Sequence, residues 1–160
     1  MDYNILMVCT GNICRSPMAE GLLRHLLPAL LKYRVSVQSA GTHGLHGNRA
    51  APFAVQASAA HGADISQHHA RTLDLTMIKS ANLVLAMEHY HLERINGLFF
   101  FRCKYAHLLG SFAPDWGHME IEDPYGLSLT AYEMAAEAIM ACMPGLIEYI
   151  WEQMEKMGLV

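Results

Sequence analysis

Cationic residues are scarce in this 160-residue chain: 11 Lys and Arg stand against 15 Asp and Glu, giving a formal net charge of −4 and a pI near 6.2. A protein that grips nucleic acid regardless of sequence needs clustered Lys and Arg to displace counterions, so that class is excluded and any anion must be held locally. Cysteine is sparse as well. Cys9, Cys14, Cys103 and Cys142 form no CxxC pair and lack the density of a secreted disulfide scaffold, so reduced thiols are expected. Long apolar runs are missing too. The start Met1-Asp2-Tyr3-Asn4 has no basic region, and the apolar segment that follows stops at Cys9, too short for a signal sequence or a membrane span. A cytoplasmic location without membrane insertion is the expectation. There is no internal repeat and no low-complexity tract.

What is present is enough apolar material, 52% of residues, to bury one sizeable core, and a single domain over residues 1–160 is expected. Ten histidines, several in close groups such as His43 with His46, His68-His69 and His89 with His91, allow the net charge to turn positive in mildly acidic solution.

Ile5 to Val8 is a continuous apolar run, the pattern of a strand covered on both faces in a parallel sheet. After the next loop, Ser16 is placed to cap a helix with Pro17 at its first position and Glu20 in its first turn. Leucines recur at helical spacing from Leu22 to Leu31, and Pro28 kinks or ends that helix. Val35 to Ser39 alternates as a strand ended by Ala40-Gly41, and the Ala-rich stretch 51–60 predicts a helix stopped by Gly62. Residues 73–81 predict a short helix, 82–87 a third buried strand, and 88–96 a helix closed by Gly97. A short fourth strand is expected over 104–109, and the spacing from Ser128 to Lys156 predicts a closing helix broken at Pro144-Gly145. Strands alternating with helices imply an α/β fold with a parallel sheet between two helical layers, where ligands bind beyond the carboxyl ends of the strands. The segment 110–126, with two prolines and three glycines, is too long for a plain connector and predicts a functional loop.

The chemistry concentrates in Cys9-Thr10-Gly11-Asn12-Ile13-Cys14-Arg15-Ser16-Pro17. In a Cys-x5-Arg loop that runs into a helix, successive main-chain N–H groups from Thr10 to Arg15 can surround a tetrahedral anion. The helix dipole adds positive potential, and the Arg15 fork grips two oxygens. Gly11 permits the tight turn. The same field stabilises negative sulfur, which makes Cys9 a nucleophile. A cysteine at a strand end is more often a small buried hydrophobe; the company of Gly11, Arg15, Ser16 and Pro17 decides against that. A metal at Cys9 and Cys14 lacks two further ligands and would sit beside Arg15, so neither metal nor cofactor is expected.

This loop resembles the phosphate loop of the low-molecular-weight protein tyrosine phosphatases throughout. Ser39-Ala-Gly-Thr42, His68-x-Ala-Arg71, Leu85-Ala-Met87 and Asp123-Pro-Tyr125 extend the likeness along nearly the whole chain in order. The resemblance implies the phosphotyrosine protein phosphatase I-like fold, four parallel strands flanked by helices. It also implies that Cys9 attacks phosphorus, Arg15 holds the phosphoryl oxygens, and Asp123 protonates the leaving phenol and then activates water. Ser16 matches the hydroxyl that hydrogen-bonds the thiolate, while Asn12, Ser39 and His68 match the groups that hold the loop in shape. Thr10, Gly11, Asn12, Ile13 and Cys14 would contact the phosphoryl group, and Leu45 and Tyr125 the substrate ring. Cys14 matches a second cysteine that in many members bonds the nucleophile reversibly and shields it from further oxidation.

Gly126 stands where animal enzymes often carry a second tyrosine, Leu45 near a common aromatic wall, and Glu88 where they often carry aspartate. Met87 to Glu93 resembles the bacterial branch that serves capsule and exopolysaccharide assembly, whose partners are membrane tyrosine autokinases. Two other readings share the loop. A thioredoxin-coupled arsenate reductase needs a further cysteine pair on a mobile segment, and Cys103 and Cys142 are too far apart in sequence for that. A non-catalytic phosphotyrosine binder needs neither Cys9 nor Asp123.

Overall fold

The central strand β1 (Tyr3–Cys9) pairs in parallel with β2 (Val35–Gly41) on one side and β3 (Leu83–Ala86) on the other, and β4 (Ala106–Leu108) completes the sheet in the order β2-β1-β3-β4. The computed structural model describes residues 2–117 and 119–160. Met1, part of the N-terminal stretch considered above, and His118, within the 110–126 segment, lie outside them.

The apolar run of β1 is continuous because both of its faces are buried. Ile5, Met7 and Cys9 join one core cluster together with Leu22, Ala54 and Ile139, whereas Leu6 and Val8 join a second with Ile78 and Ile95. The period-2 alternation of a strand thus separates two helical layers. Helices α1 (Arg15–Leu26), α3 (Pro52–Ala59) and α6 (Leu129–Lys156) pack on one face, and α4 (Leu75–Ser80) and α5 (His89–Phe99) on the other; a single turn, α2 (Ala29–Lys32), leads into β2. The fold is the three-layer α/β architecture that the alternation of strands and helices predicts. The chain passes from β1 outward to β2 and then back across β1 to β3, so the order reverses at β1, and the loop after Cys9 occupies the crevice at that switch point.

Several boundaries differ from the sequence reading. Helix α1 begins at Arg15 with Cys14 as its N-cap, so Ser16 is not a cap, Pro17 is the third helical residue and Glu20 lies beyond the first turn. Strand β2 includes Ala40 and ends on Gly41, as the sequence reading has it, and Gly41 pairs with Cys9. A Cβ on Gly41 would fall 2.3 Å from the Thr10 carbonyl oxygen and 2.9 Å from the Asn12 nitrogen, so only glycine lets the sheet and the loop meet backbone to backbone. Helix α5 continues past Gly97 to Phe99 and ends on Phe100 in the left-handed region.

Helix α6 is not broken at Pro144-Gly145. Its flanking residues Met143 and Leu146 are both buried in the main cluster, and that packing holds the helix together despite the lost N–H. Gly145 faces the 3-10 turn Leu109–Phe112, where a Cβ would lie 2.4 Å from the Phe112 carbonyl oxygen. The 110–126 segment contains the end of that turn and a second one at Pro114–Trp116.

Among the described residues no helix is long and apolar enough to cross a membrane. Cys103 sits in the second core cluster and Cys142 in the first, on opposite faces of the sheet, so these two thiols do not form the pair that the arsenate reductase reading requires.

Candidate active site

The loop from Cys9 to Arg15 is held by its carbonyls. Those of Cys9, Thr10 and Gly11 accept the N–H groups of Thr42, His43 and Leu45 at 2.9, 2.9 and 3.0 Å. The Asn12 carbonyl accepts from His68 Nε2 at 2.7 Å, that of Ile13 from Ala51 N–H at 2.8 Å, and that of Cys14 from Met18 N–H at 3.1 Å. In a planar trans peptide the C=O and the following N–H point opposite ways. Tying carbonyls 10–14 to the surrounding protein therefore turns the amides of Gly11 to Arg15 toward the interior of the loop, a ring of donors at the start of α1.

Asn12 makes this curvature affordable. Its φ of 58° lies in the left-handed region, which asparagine tolerates better than most residues, and the side chain is fully buried. One Nδ2 proton goes to Ser16 Oγ at 2.8 Å and the other to Ser39 Oγ at 2.9 Å, while Oδ1 accepts Arg71 N–H at 2.8 Å. Ser39 passes its own proton to Glu20 Oε2. We predict that Asn12→Ala, which strands all three partners and puts alanine at positive φ, lowers stability by about 3–5 kcal/mol, read from the urea midpoint, and lowers turnover with it.

Ser16 Oγ accepts from Asn12 and keeps its own proton for the Cys9 sulfur, 2.9 Å away. The Asn12 N–H also points at that sulfur, at 3.3 Å. Both donors favour negative charge on Sγ, as does the N-terminus of α1. Cys14, by contrast, hydrogen-bonds the Tyr132 hydroxyl at 3.4 Å, and burial pushes its thiol up to about 11, so it stays protonated. All four cysteines are free thiols.

Arg15 is 1% exposed and closely surrounded by acceptors. One nitrogen donates to the Ile121 carbonyl at 2.8 Å and lies 3.0 Å from Glu88 Oε2; the other lies 3.4 Å from Asp123 Oδ2. Asp123 is half-exposed, and its Oδ1 accepts Tyr125 N–H at 3.1 Å in an Asx turn. A cavity of about 310 Å³ opens over Cys9, walled by Ile13, Leu45, Tyr125, His43 and Asp123. Thr10, Gly11, Cys14 and Arg15 line it as well, whereas Asn12 does not; its N–H points at the Cys9 sulfur. A larger cavity of about 640 Å³ lies behind the supports, between Glu20, Ser39, His68 and Arg71; it touches neither Cys9 nor Asp123, so the chemistry belongs to the smaller one.

Four contributors were not singled out from the sequence for these roles. His91 is fully buried; its Nδ1 accepts Glu88 N–H at 3.1 Å, so its proton sits on Nε2, which donates to Thr10 Oγ1 at 2.9 Å. Burial, and next the Arg15 charge, push its pKa down to about 4, which keeps it neutral at physiological pH. The available signal was spacing: Glu88 and His91 form a capping box at the start of α5. Tyr132 has no such local mark, because it is brought to Cys14 from 118 residues away. Ile121 acts through its backbone, which no side-chain motif encodes, and His43 belongs to a histidine group read only for its charge. Among the described residues, no three His, Cys, Asp or Glu side chains group as a metal ligand set.

Comparison with known proteins gives the same picture. The family profile described as low molecular weight phosphotyrosine protein phosphatase matches residues 4–156. The chain is 42% identical over 139 residues to "Probable low molecular weight protein-tyrosine-phosphatase EpsP" of Ralstonia nicotianae, covering 87% of this chain and 90% of that one. The tyrosine phosphatase Wzb of Escherichia coli K30, solved with sulphate, superposes with a TM-score of 0.81 at 30% identity over 94% and 99% of the two chains. The YwlE arginine phosphatase of Geobacillus stearothermophilus does so at 0.82 and 31%, over 96% of each. With the loop, its supports and the sheet order all in place, this chain belongs to the low molecular weight phosphotyrosine protein phosphatases.

Proposed function

We propose that residues 1–160 act as one phosphatase domain in which Cys9, Arg15, Ser16 and Asp123 hydrolyse phosphotyrosine through a phosphocysteine. Cys9 Sγ attacks phosphorus as the bond from phosphorus to the phenol oxygen breaks, and Asp123 delivers a proton to that oxygen. Water then attacks the phosphocysteine, Asp123 takes its proton, and the sulfur leaves as a thiolate that the Ser16 hydroxyl and Asn12 N–H receive. The amides of Gly11 to Arg15 and the Arg15 guanidinium hold the three equatorial oxygens throughout. The observation that carries this reading is the outward bonding of every loop carbonyl from Cys9 to Cys14, which commits the intervening amides to an anion.

The pocket walls favour an aromatic ester. Ile13, Leu45 and Tyr125 offer apolar contact to a flat ring, and Asp123 is the one carboxylate among the described residues that line the cavity. With Leu45 and Gly126 where other members carry aromatics, Tyr125 is, among the described residues, the one Phe, Tyr or Trp lining the pocket, beside His43. As natural substrate we propose the tyrosine-rich tail of a membrane tyrosine autokinase, met in the cytosol; the likeness of Met87 to Glu93 to the exopolysaccharide branch supports this.

The test is hydrolysis of a phosphotyrosine peptide and a phosphoarginine peptide, with chelator present, followed by acid quench and peptide mapping. Phosphate trapped on Cys9 and a preference for phosphotyrosine of at least about 100-fold in kcat/KM are expected. Phosphate on any other residue, or faster release from phosphoarginine, would reject the assignment.

A further inference from the structure

A third cavity, of about 210 Å³, lies beside the catalytic one, between the 3-10 turn at Pro114–Trp116, the loop after Ile121 and the first turns of α6. Asp123 lines both, so the two share a wall. The apolar surface of this groove comes from Trp116, Leu127 and Met134, which are 45%, 59% and 60% exposed. Its rim carries Glu120, Glu122 and Glu137, and no Lys or Arg lines it among the described residues. Exposed apolar side chains bordered by carboxylates of one sign suit a long side chain with an apolar stem and a cationic head.

We propose that this groove selects substrates by a lysine or arginine placed within about three residues of the phosphotyrosine, a distance that an extended chain covers at roughly 3.3 Å per residue. The proposal rests on the phosphotyrosine reading and concerns the flanking sequence alone. With the phosphorylated ring in the catalytic cavity, the substrate backbone crosses the shared wall at Asp123, and the next side chains lie over Leu127 and Met134. A Lys or Arg stem packs on these two residues and on the Trp116 face, where its charge also meets the ring quadrupole, and its head reaches Glu122 and Glu137. A glutamate in the same place would meet like charge and leave the apolar floor uncovered.

The test compares full-length protein on phosphotyrosine peptides that differ only at the flanking positions, Lys or Arg against Glu, with p-nitrophenyl phosphate as a substrate lacking any flanking residue. The expected result is a kcat/KM about tenfold higher for the basic peptides, carried by KM and shrinking severalfold in about 0.5 M salt. In the double variant Glu122→Gln/Glu137→Gln the ratio should fall to about twofold, with each rate normalised to p-nitrophenyl phosphate. Equal rates for both peptide sets, or a preference that the double variant keeps, would overturn the proposal. So would sedimentation showing a dimer that Met134→Glu dissociates, since a second copy would then occupy the groove. Loss of p-nitrophenyl phosphate hydrolysis by the unmodified protein would strike the phosphatase reading itself, and the proposal with it.

Discussion

Cys9→Ser is expected to leave a folded protein with turnover of an aryl phosphate reduced by more than about 10⁴-fold. The substitution keeps a small group at the end of β1, and its hydroxyl can still bond Ser16, so the thermal midpoint should move little. What it removes is the polarisable sulfur that Ser16 Oγ and the Asn12 amide contact at 2.9 and 3.3 Å. A serine hydroxyl is a far weaker acid than a thiol, and His91, buried beside the loop, bonds Thr10 instead of position 9 and so does not stand ready to take the serine proton. The anion cradle survives the change, so inorganic phosphate should still protect the variant against heating. Residual turnover above a few per cent would mean that another residue attacks phosphorus.

Asp123→Asn separates two roles of the same carboxylate. The amide is isosteric and can still accept the Tyr125 N–H through Oδ1, so the turn at Asp123-Pro124-Tyr125 should persist. It has no proton to give to a departing phenol. Turnover of phosphotyrosine should therefore fall by about 10²–10³, whereas p-nitrophenyl phosphate, whose anion leaves more readily, should lose only about tenfold. Measuring kcat/KM over a series of aryl phosphates reads this as a steeper dependence on leaving-group basicity. If all esters slowed equally, Asp123 would be acting by orienting Arg15, 3.4 Å away, and proton transfer would lie elsewhere. Arg15 would still keep Glu88 and the Ile121 carbonyl as partners, so the guanidinium should not stray.

The parts of the molecule that were legible in the sequence are those fixed by short-range pattern. The run Ile5 to Val8 announced a strand covered on both sides, and each of its residues does feed one of two cores. The Cys-x5-Arg spacing pointed to an anion loop at the start of a helix because such a loop needs only neighbouring amides. Boundaries were read less well wherever tertiary packing overrode a local signal. Pro144 signals a break, yet Met143 and Leu146 anchor the helix on either side of it. Ser16 resembles a cap, but the chain places it two residues past the cap, against sulfur. Contributions from distant segments could not be read at all: Ile121 presents a carbonyl, and Tyr132 reaches Cys14 only after the chain has wrapped around the sheet. Of the histidines flagged for their charge, His91 proves to be a neutral donor fixed by the backbone of Glu88.

The clamps on the loop carbonyls also give the catalytic centre an external gauge. The protons that grip it belong to Thr42, His43, Leu45 and Ala51, a stretch that takes no part in bond making. Their exchange with deuterated solvent requires those hydrogen bonds to part, and any ligand that tightens the loop lowers the logarithm of that exchange rate in step with the stabilisation it confers. Four main-chain amides that make no bond to the nucleophile thus report the integrity of its surroundings.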